Sequence, residues 1–165
     1  MEFSHFDKAG RARMVDISGK ETTDREAVAA GSVHMDAETM RLIKEGSIQK
    51  GDVLGVARIA GIMAAKKTAE LIPMCHPLDI ASITVDFAFD EGRSRIDIRT
   101  AVKTTGRTGV EMEALVAASA AALTIYDMCK SADKGMVISD IMLLEKRGGK
   151  SGEFLRKPGT SQKCG

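Results

Sequence analysis

Between residues 83 and 89 apolar side chains recur at every second position: Ile83, Val85, Phe87 and Phe89 fall on one face, with Thr84 and Asp86 on the other. A period of two predicts a strand with one face against a core. The polar run Asp90–Ser94 predicts a turn. Alternation then resumes at Ile96, Ile98 and Thr100, so residues 83–102 predict a β-hairpin. Residues 25–34 alternate more weakly through Ala27, Ala29 and Gly31, and predict another strand. Residues 136–146 carry apolar side chains on both faces, including Ile138, Met142 and Leu144, and predict a well-covered strand.

Elsewhere the period lengthens to that of a helix. Asp36 is placed to cap a helix over 37–46, with Met40 and Ile43 three apart and Gly46 as its stop. Asp52 is placed to cap a second helix over 53–72, closed by Pro73, on which Val53, Val56, Ile59, Ala60 and Met63 form an apolar stripe. Thr108 opens a long helix over 109–132, and its six alanines between 114 and 122 permit close backbone approach to a sheet or a second subunit. The order β-α-α-β-β-α-β, with the first two helices as one connection, predicts an α+β ferredoxin-like split βαβ fold. Its sheet is mainly antiparallel, with helices on one face. On this reading Ile138, Met142 and Leu144 leave the other face in need of a cover that oligomerisation would supply.

With 165 residues, 44% hydrophobic and 28% charged, the chain is read as a single domain, 1–165, that can build a core. Residues 1–20 show little periodicity and read as a flexible arm; the basic, Gly/Ser-rich residues 148–165 read as a flexible tail. A net charge of +1 argues against binding nucleic acid or membranes by overall charge. No uninterrupted apolar run reaches the roughly 18 residues of a spanning helix. Cys75, Cys129 and Cys164 form no CxxC pair, which points to reduced thiols and a cytoplasmic location.

Three stretches carry chemistry. In Pro73-Met74-Cys75-His76-Pro77 the prolines hold the backbone extended and project His76, as a substrate contact or as a loop histidine. A metal is not expected, since only His5 and His34 remain as further histidines and neither has motif spacing. In Thr108–Glu113 a capping box accounts for Glu111, and Glu111 and Glu113, two apart, should not both face one pocket unless the helix starts later. Near the end of the same helix Asp127 and Lys130 share a face. They read either as a surface ion pair or as a proton-transfer pair. Neither GxxxxGK[ST] nor GxGxxG occurs.

The runs KGDVLGVARIAGIMAAKKTAELIPMCHPL, TGRTGVEMEALVAASAAALTIYDMCK and KGMVISDIMLLEKRGGKSG closely resemble the cyclic pyranopterin monophosphate synthase family, the C protein of molybdenum cofactor biosynthesis. The resemblance extends from about His5 to Gly152. It implies a lyase that converts 3′,8-cyclo-7,8-dihydroguanosine 5′-triphosphate to cyclic pyranopterin monophosphate and releases pyrophosphate. It also implies a homohexamer, a trimer of dimers, with active sites between subunits.

Position by position, the resemblance makes Asp127 and Lys130 catalytic. It assigns Lys50, Arg25, His76, Glu111 and Glu113 to the substrate pocket, with Met112 and Cys75 from the same motifs and Lys66, Lys67 and Lys146 as further basic positions. In this scheme Lys130 is the general acid or base and Asp127 sets its charge state. Lys50, Arg25, Lys66 and Lys67 hold the triphosphate, while His76 and one glutamate grip the base. No resident cofactor or metal is implied, although Mg²⁺ can accompany the triphosphate. The rival readings are a His/Cys metal-dependent hydrolase built on His76 and Cys75, and a non-enzymatic oligomeric module whose basic tail binds an acidic partner.

Overall fold

The computed structural model describes residues 9–150 and 152–157. In chain order it contains β1 (Thr23–His34), α1 (Ala37–Lys44), α2 (Val53–Lys66), α3 (Thr68–Leu71), β2 (Ile80–Asp90), β3 (Arg95–Gly106), α4 (Glu111–Cys129), β4 (Val137–Arg147) and β5 (Phe154–Leu155). The sheet order is β2-β3-β1-β4-β5 with every neighbouring pair antiparallel. Its first four strands have the order of the split βαβ, so the α+β, ferredoxin-like expectation holds.

The core lies between the sheet and the helices. Ala27, Ala29 and Val33 of β1 pair with Val102, Thr100 and Ile96 of β3, and all six are fully buried. Against them lie Ala114, Ala118, Ala121, Ala122 and Ile125 of α4. Methyl groups on both sides let helix and sheet approach closely. The buried Thr100 hydroxyl is satisfied by donating to the Ala114 carbonyl oxygen at 2.8 Å. On α2 the face toward α4 is Ala57, Gly61 and Ala65, and a Cβ on Gly61 would stand 3.0 Å from the Ala117 carbonyl oxygen.

That contact corrects the expected stripe on α2. Val53 is buried, but Val56, Ile59 and Met63 are 44%, 63% and 47% exposed. The smallest residues face α4 because only they admit its backbone, so the large ones point outward with Leu123 of α4. The expected helix over 53–72 is also shorter. It breaks at Lys67 (φ −110°, ψ 14°) before the single turn of α3. The buried Thr68 hydroxyl donates to the Ala65 carbonyl oxygen at 2.9 Å, a local bond that competes with a continuous helix.

Of the three residues expected to leave the other sheet face in need of a cover, Ile138 does not belong to that face. Ile138 pairs with Val33 and packs against the core. Bulges opposite Val28/Ala29 and Ala30/Ser32 shift the phase of β4, and Asp140 takes a φ of 54° there. The face away from the helices, where Met142 pairs with Ala30, also carries ion pairs, among them Arg99–Glu145 at 3.0 Å, Arg95–Asp97 at 3.0 Å and Lys103–Glu26 at 3.5 Å.

The tail reading needs revision at residues 154–155, which pair with Lys146 and Glu145. Arg156 then anchors the segment, its N–H and Nε donating to the carbonyl oxygens of Leu144 and Leu143 at 2.8 Å each. Residues 158–165, with Cys164, and residues 1–8, with His5, lie outside the described residues. Asp52 caps α2 through Gly55 N–H at 2.9 Å as expected, whereas the Asp36 side chain makes no cap bond to α1. By length and mean hydropathy α4 is apolar enough to cross a bilayer, but half of it is buried in this fold, which accounts for its composition.

Candidate active site

The expected site residues gather at the two ends of α4. The helix begins at Glu111, three residues after Thr108, with Val110 at its N-cap and no side-chain cap. The capping box therefore does not form, and the Glu111 carboxylate is free to leave the helix. It meets Lys146 of β4 at 2.8 Å, both side chains only about a quarter exposed (28% and 26%).

Glu111 stands where two clefts adjoin, with Lys20, Thr108 and Gly109 common to both. The first cleft is lined by Lys20, Arg25, Arg107, Lys146 and Arg147 against Glu26 and Glu111. Five cations facing two carboxylates give it a positive potential suited to phosphate groups. Arg25 rises from β1 and is held at its base, its Nε donating to the Gly106 carbonyl oxygen at 2.9 Å.

The second cleft mixes apolar and polar walls. Val15, Ile17, Met74, Leu78 and Met112 line it together with Cys75, His76, Glu111 and Glu113. Such a lining suits a flat heterocycle with polar edges. Burial pushes the Glu113 carboxyl above its usual range; its own backbone N–H partly opposes this and the Glu111 charge adds to it. Burial raises the Cys75 thiol as well, with the Glu113 charge adding. The expectation that only one glutamate faces a given pocket is met by its own exception. The helix starts at Glu111, so Glu111 sits at the mouth and Glu113 one step inside.

At the other end of α4, Lys130 Nζ lies 2.7 Å from Asp127 Oδ1. Lys50, from the segment before α2, joins them at 2.9 Å from Asp127 Oδ2 and 2.8 Å from the Asp127 carbonyl oxygen. Hydrogen bonds from Lys130 first and Lys50 second bring the Asp127 carboxyl down to about 2, and the bond to Asp127 raises the Lys130 ammonium. All three side chains are about half exposed, at 57%, 53% and 45% for Asp127, Lys130 and Lys50. Lys50 therefore stands with the Asp127–Lys130 ion pair rather than in the cation-lined cleft.

Sixteen residues of helix separate Glu111 from Asp127, about 24 Å at 1.5 Å per residue. One chain thus brings together Arg25, Lys146, Cys75, His76, Glu111, Met112 and Glu113 at one end, and Lys50, Asp127 and Lys130 at the other. Lys66 and Lys67 are exposed and line neither cleft. The sequence reading missed Lys20, Val15 and Ile17 as lining residues because they lie in the segment read as an arm. Arg107, just before Thr108, also lines the first cleft and was not singled out there.

Comparison with known proteins extends this picture. The MoaC family model matches residues 14–149. A cyclic pyranopterin monophosphate synthase of Thermoanaerobacter sp. (strain X514) is 59% identical over 157 residues, covering 95% of this chain and 99% of that one. Its namesake in Heliobacterium modesticaldum is 60% identical over 154 residues, covering 93% and 97%. That of Syntrophomonas wolfei is 59% identical over 156 residues, covering 94% and 99%.

Proposed function

The chain belongs to the MoaC family, and on that premise we propose that it is a cyclic pyranopterin monophosphate synthase, a lyase of molybdenum cofactor biosynthesis. Its substrate is 3′,8-cyclo-7,8-dihydroguanosine 5′-triphosphate, and its products are cyclic pyranopterin monophosphate and pyrophosphate. The observation that carries the reading is the pair of adjoining clefts at the N-terminal end of α4, one lined by five cations and the other half apolar. A nucleoside triphosphate has the same two parts. Arg25, Lys20, Arg107 and Lys146 take the phosphate chain, while His76, Met112, Glu113 and Cys75 take the guanine-derived rings.

The reaction opens a purine-derived ring, closes a cyclic phosphate and expels pyrophosphate, so it needs proton transfers in both directions and stabilisation of developing phosphate charge. Lys130 supplies the proton transfer, with Asp127 setting its charge state and position. Lys130 acts as general acid or base. The rearrangement calls for no resident cofactor, and Mg²⁺ can accompany the triphosphate.

The two clusters are too far apart on one helix for a single substrate to span. A neighbouring protomer therefore completes the site, its Lys50, Asp127 and Lys130 lying across the cleft of the first. Val56, Ile59, Met63 and Leu123, exposed on the outer faces of α2 and α4, are the kind of surface such an assembly covers. The assembly is a homohexamer, a trimer of dimers, and the enzyme works in the cytoplasm.

The test is incubation of the purified protein with the cyclised dihydro-GTP, followed by assays for pyranopterin and pyrophosphate. Formation of both in equal amounts is expected. Recovery of unchanged substrate from folded, oligomeric protein would overturn the assignment.

A further inference from the structure

Immediately after β4 the chain turns through Gly148 and Gly149 at φ +90° and +79°, the left-handed region that glycine occupies without strain. Space reserves both positions as well. A Cβ on Gly148 would overlap the Asp24 carbonyl oxygen and approach the Arg25 Cα to 3.2 Å; one on Gly149 would overlap the Arg25 guanidinium. The bare backbone of this turn therefore lies along β1 from the root to the tip of one arginine. On another side of the same guanidinium, Nε donates to the Gly106 carbonyl oxygen at 2.9 Å and Nη2 to the Arg107 carbonyl oxygen at 3.4 Å. Two carbonyls and a glycine turn hold it, and its other N–H groups remain for the cation-lined cleft.

We propose that Gly149 is a positioning residue for phosphate binding: its missing side chain is the space in which the Arg25 guanidinium is fixed, and through Arg25 it sets the affinity of the cleft for a phosphate chain. This rests on the reading that the cleft takes phosphates. A pre-ordered arginine loses less freedom on binding than a mobile one, so the glycine acts by pre-organisation and touches no ligand itself. Gly149 is the informative position. At Gly148 the obstacle is backbone, whereas at Gly149 it is the end of a side chain that can swing away.

The experiment titrates inorganic tripolyphosphate calorimetrically into the wild-type protein, Arg25→Ala, Gly149→Ala and the double variant, with steady-state kinetics alongside. Gly149→Ala is expected to weaken tripolyphosphate about tenfold. It should raise KM with little change in kcat, and the double variant should bind no worse than Arg25→Ala. Wild-type affinity in Gly149→Ala overturns the proposal, as does a double variant whose loss is the product of the two single losses. Wild-type affinity in Arg25→Ala overturns it together with the phosphate reading of the cleft, which keeps the two failures distinct. If Gly149→Ala does not fold, recovery of folding on adding Arg25→Ala supports the contact, and failure of both variants to fold counts against it.

Discussion

Lys50 Nζ lies 2.9 Å from Oδ2 of Asp127, a residue 77 positions further along the chain. Lys130 holds the other carboxylate oxygen at 2.7 Å, so one carboxylate is gripped by ammonium groups from two different elements. The charges of Asp127 and Lys130 favour one another: the hydrogen bond between them lowers the carboxyl and raises the ammonium.

Asp127→Asn removes the charge that raises the Lys130 ammonium. The alkaline limb of the kcat–pH profile is therefore expected to move to lower pH in this variant. An unmoved limb would disconnect Lys130 from the rate-controlling ionisation. In the wild type the carboxyl is lowered from 3.8 to about 2, so any stability it contributes is present above pH 3.8 and disappears as pH falls through about 2.

Lys130→Ala should lower kcat at least about a hundredfold, the usual scale for a lost general acid. Its effect on substrate affinity should be small, because the proposed phosphate and ring contacts lie elsewhere. Single-turnover assays combined with equilibrium substrate binding separate the two quantities. Full activity in this variant refutes the role given to Lys130.

On the proposed reading Glu111 competes with a phosphate ligand for Lys146, since their charged groups lie 2.8 Å apart in the cation-lined cleft. Glu111→Gln is expected to tighten inorganic tripolyphosphate by about threefold and Lys146→Ala to weaken it by about tenfold, the scale of partly exposed charge pairs. Calorimetric titration reads both, and equal effects of the same sign would contradict the competition.

Glu113 is buried with its carboxyl raised. A raised acid favours folding below its unfolded value and costs stability as pH rises through the folded one, where the buried group must ionise. Glu113→Gln should therefore have a higher Tm than the wild type at pH 8. The difference should vanish at pH 4. Thermal unfolding at the two pH values decides the point.

Gly61→Val forces a branched side chain between α2 and the Ala117 carbonyl oxygen, where even a Cβ stands at 3.0 Å. Destabilisation of about 1–3 kcal/mol is expected. The midpoint of urea unfolding measures it. A neutral result would show that the two helices can separate without loss.

Much of the fold was legible in the local pattern. The hairpin of β2 and β3 declared itself by strict alternation, and the alanines of α4 announced a close contact. Misreadings arose where neighbours in space overrode local rules. The stripe at Val56, Ile59 and Met63 has helical spacing, yet the core selects Ala57, Gly61 and Ala65, because backbone-close packing against α4 rewards small residues over large ones. On β4, two bulges break the period of two on which the reading of Ile138, Met142 and Leu144 relied.

By itself, the amino-acid order determined the four long strands and the main helices in outline, since periodicity and turn chemistry act over a few neighbouring residues, but not the break at Lys67 or the short β5. It also placed Asp127 and Lys130 on one helical face, because their spacing of three is local. Only the tertiary structure decided that Lys50 joins that pair, that Lys146 draws Glu111 out of a capping box, and that a glycine turn backs Arg25. Each of these joins residues far apart in the chain, and their energies depend on burial and distance that no local pattern encodes.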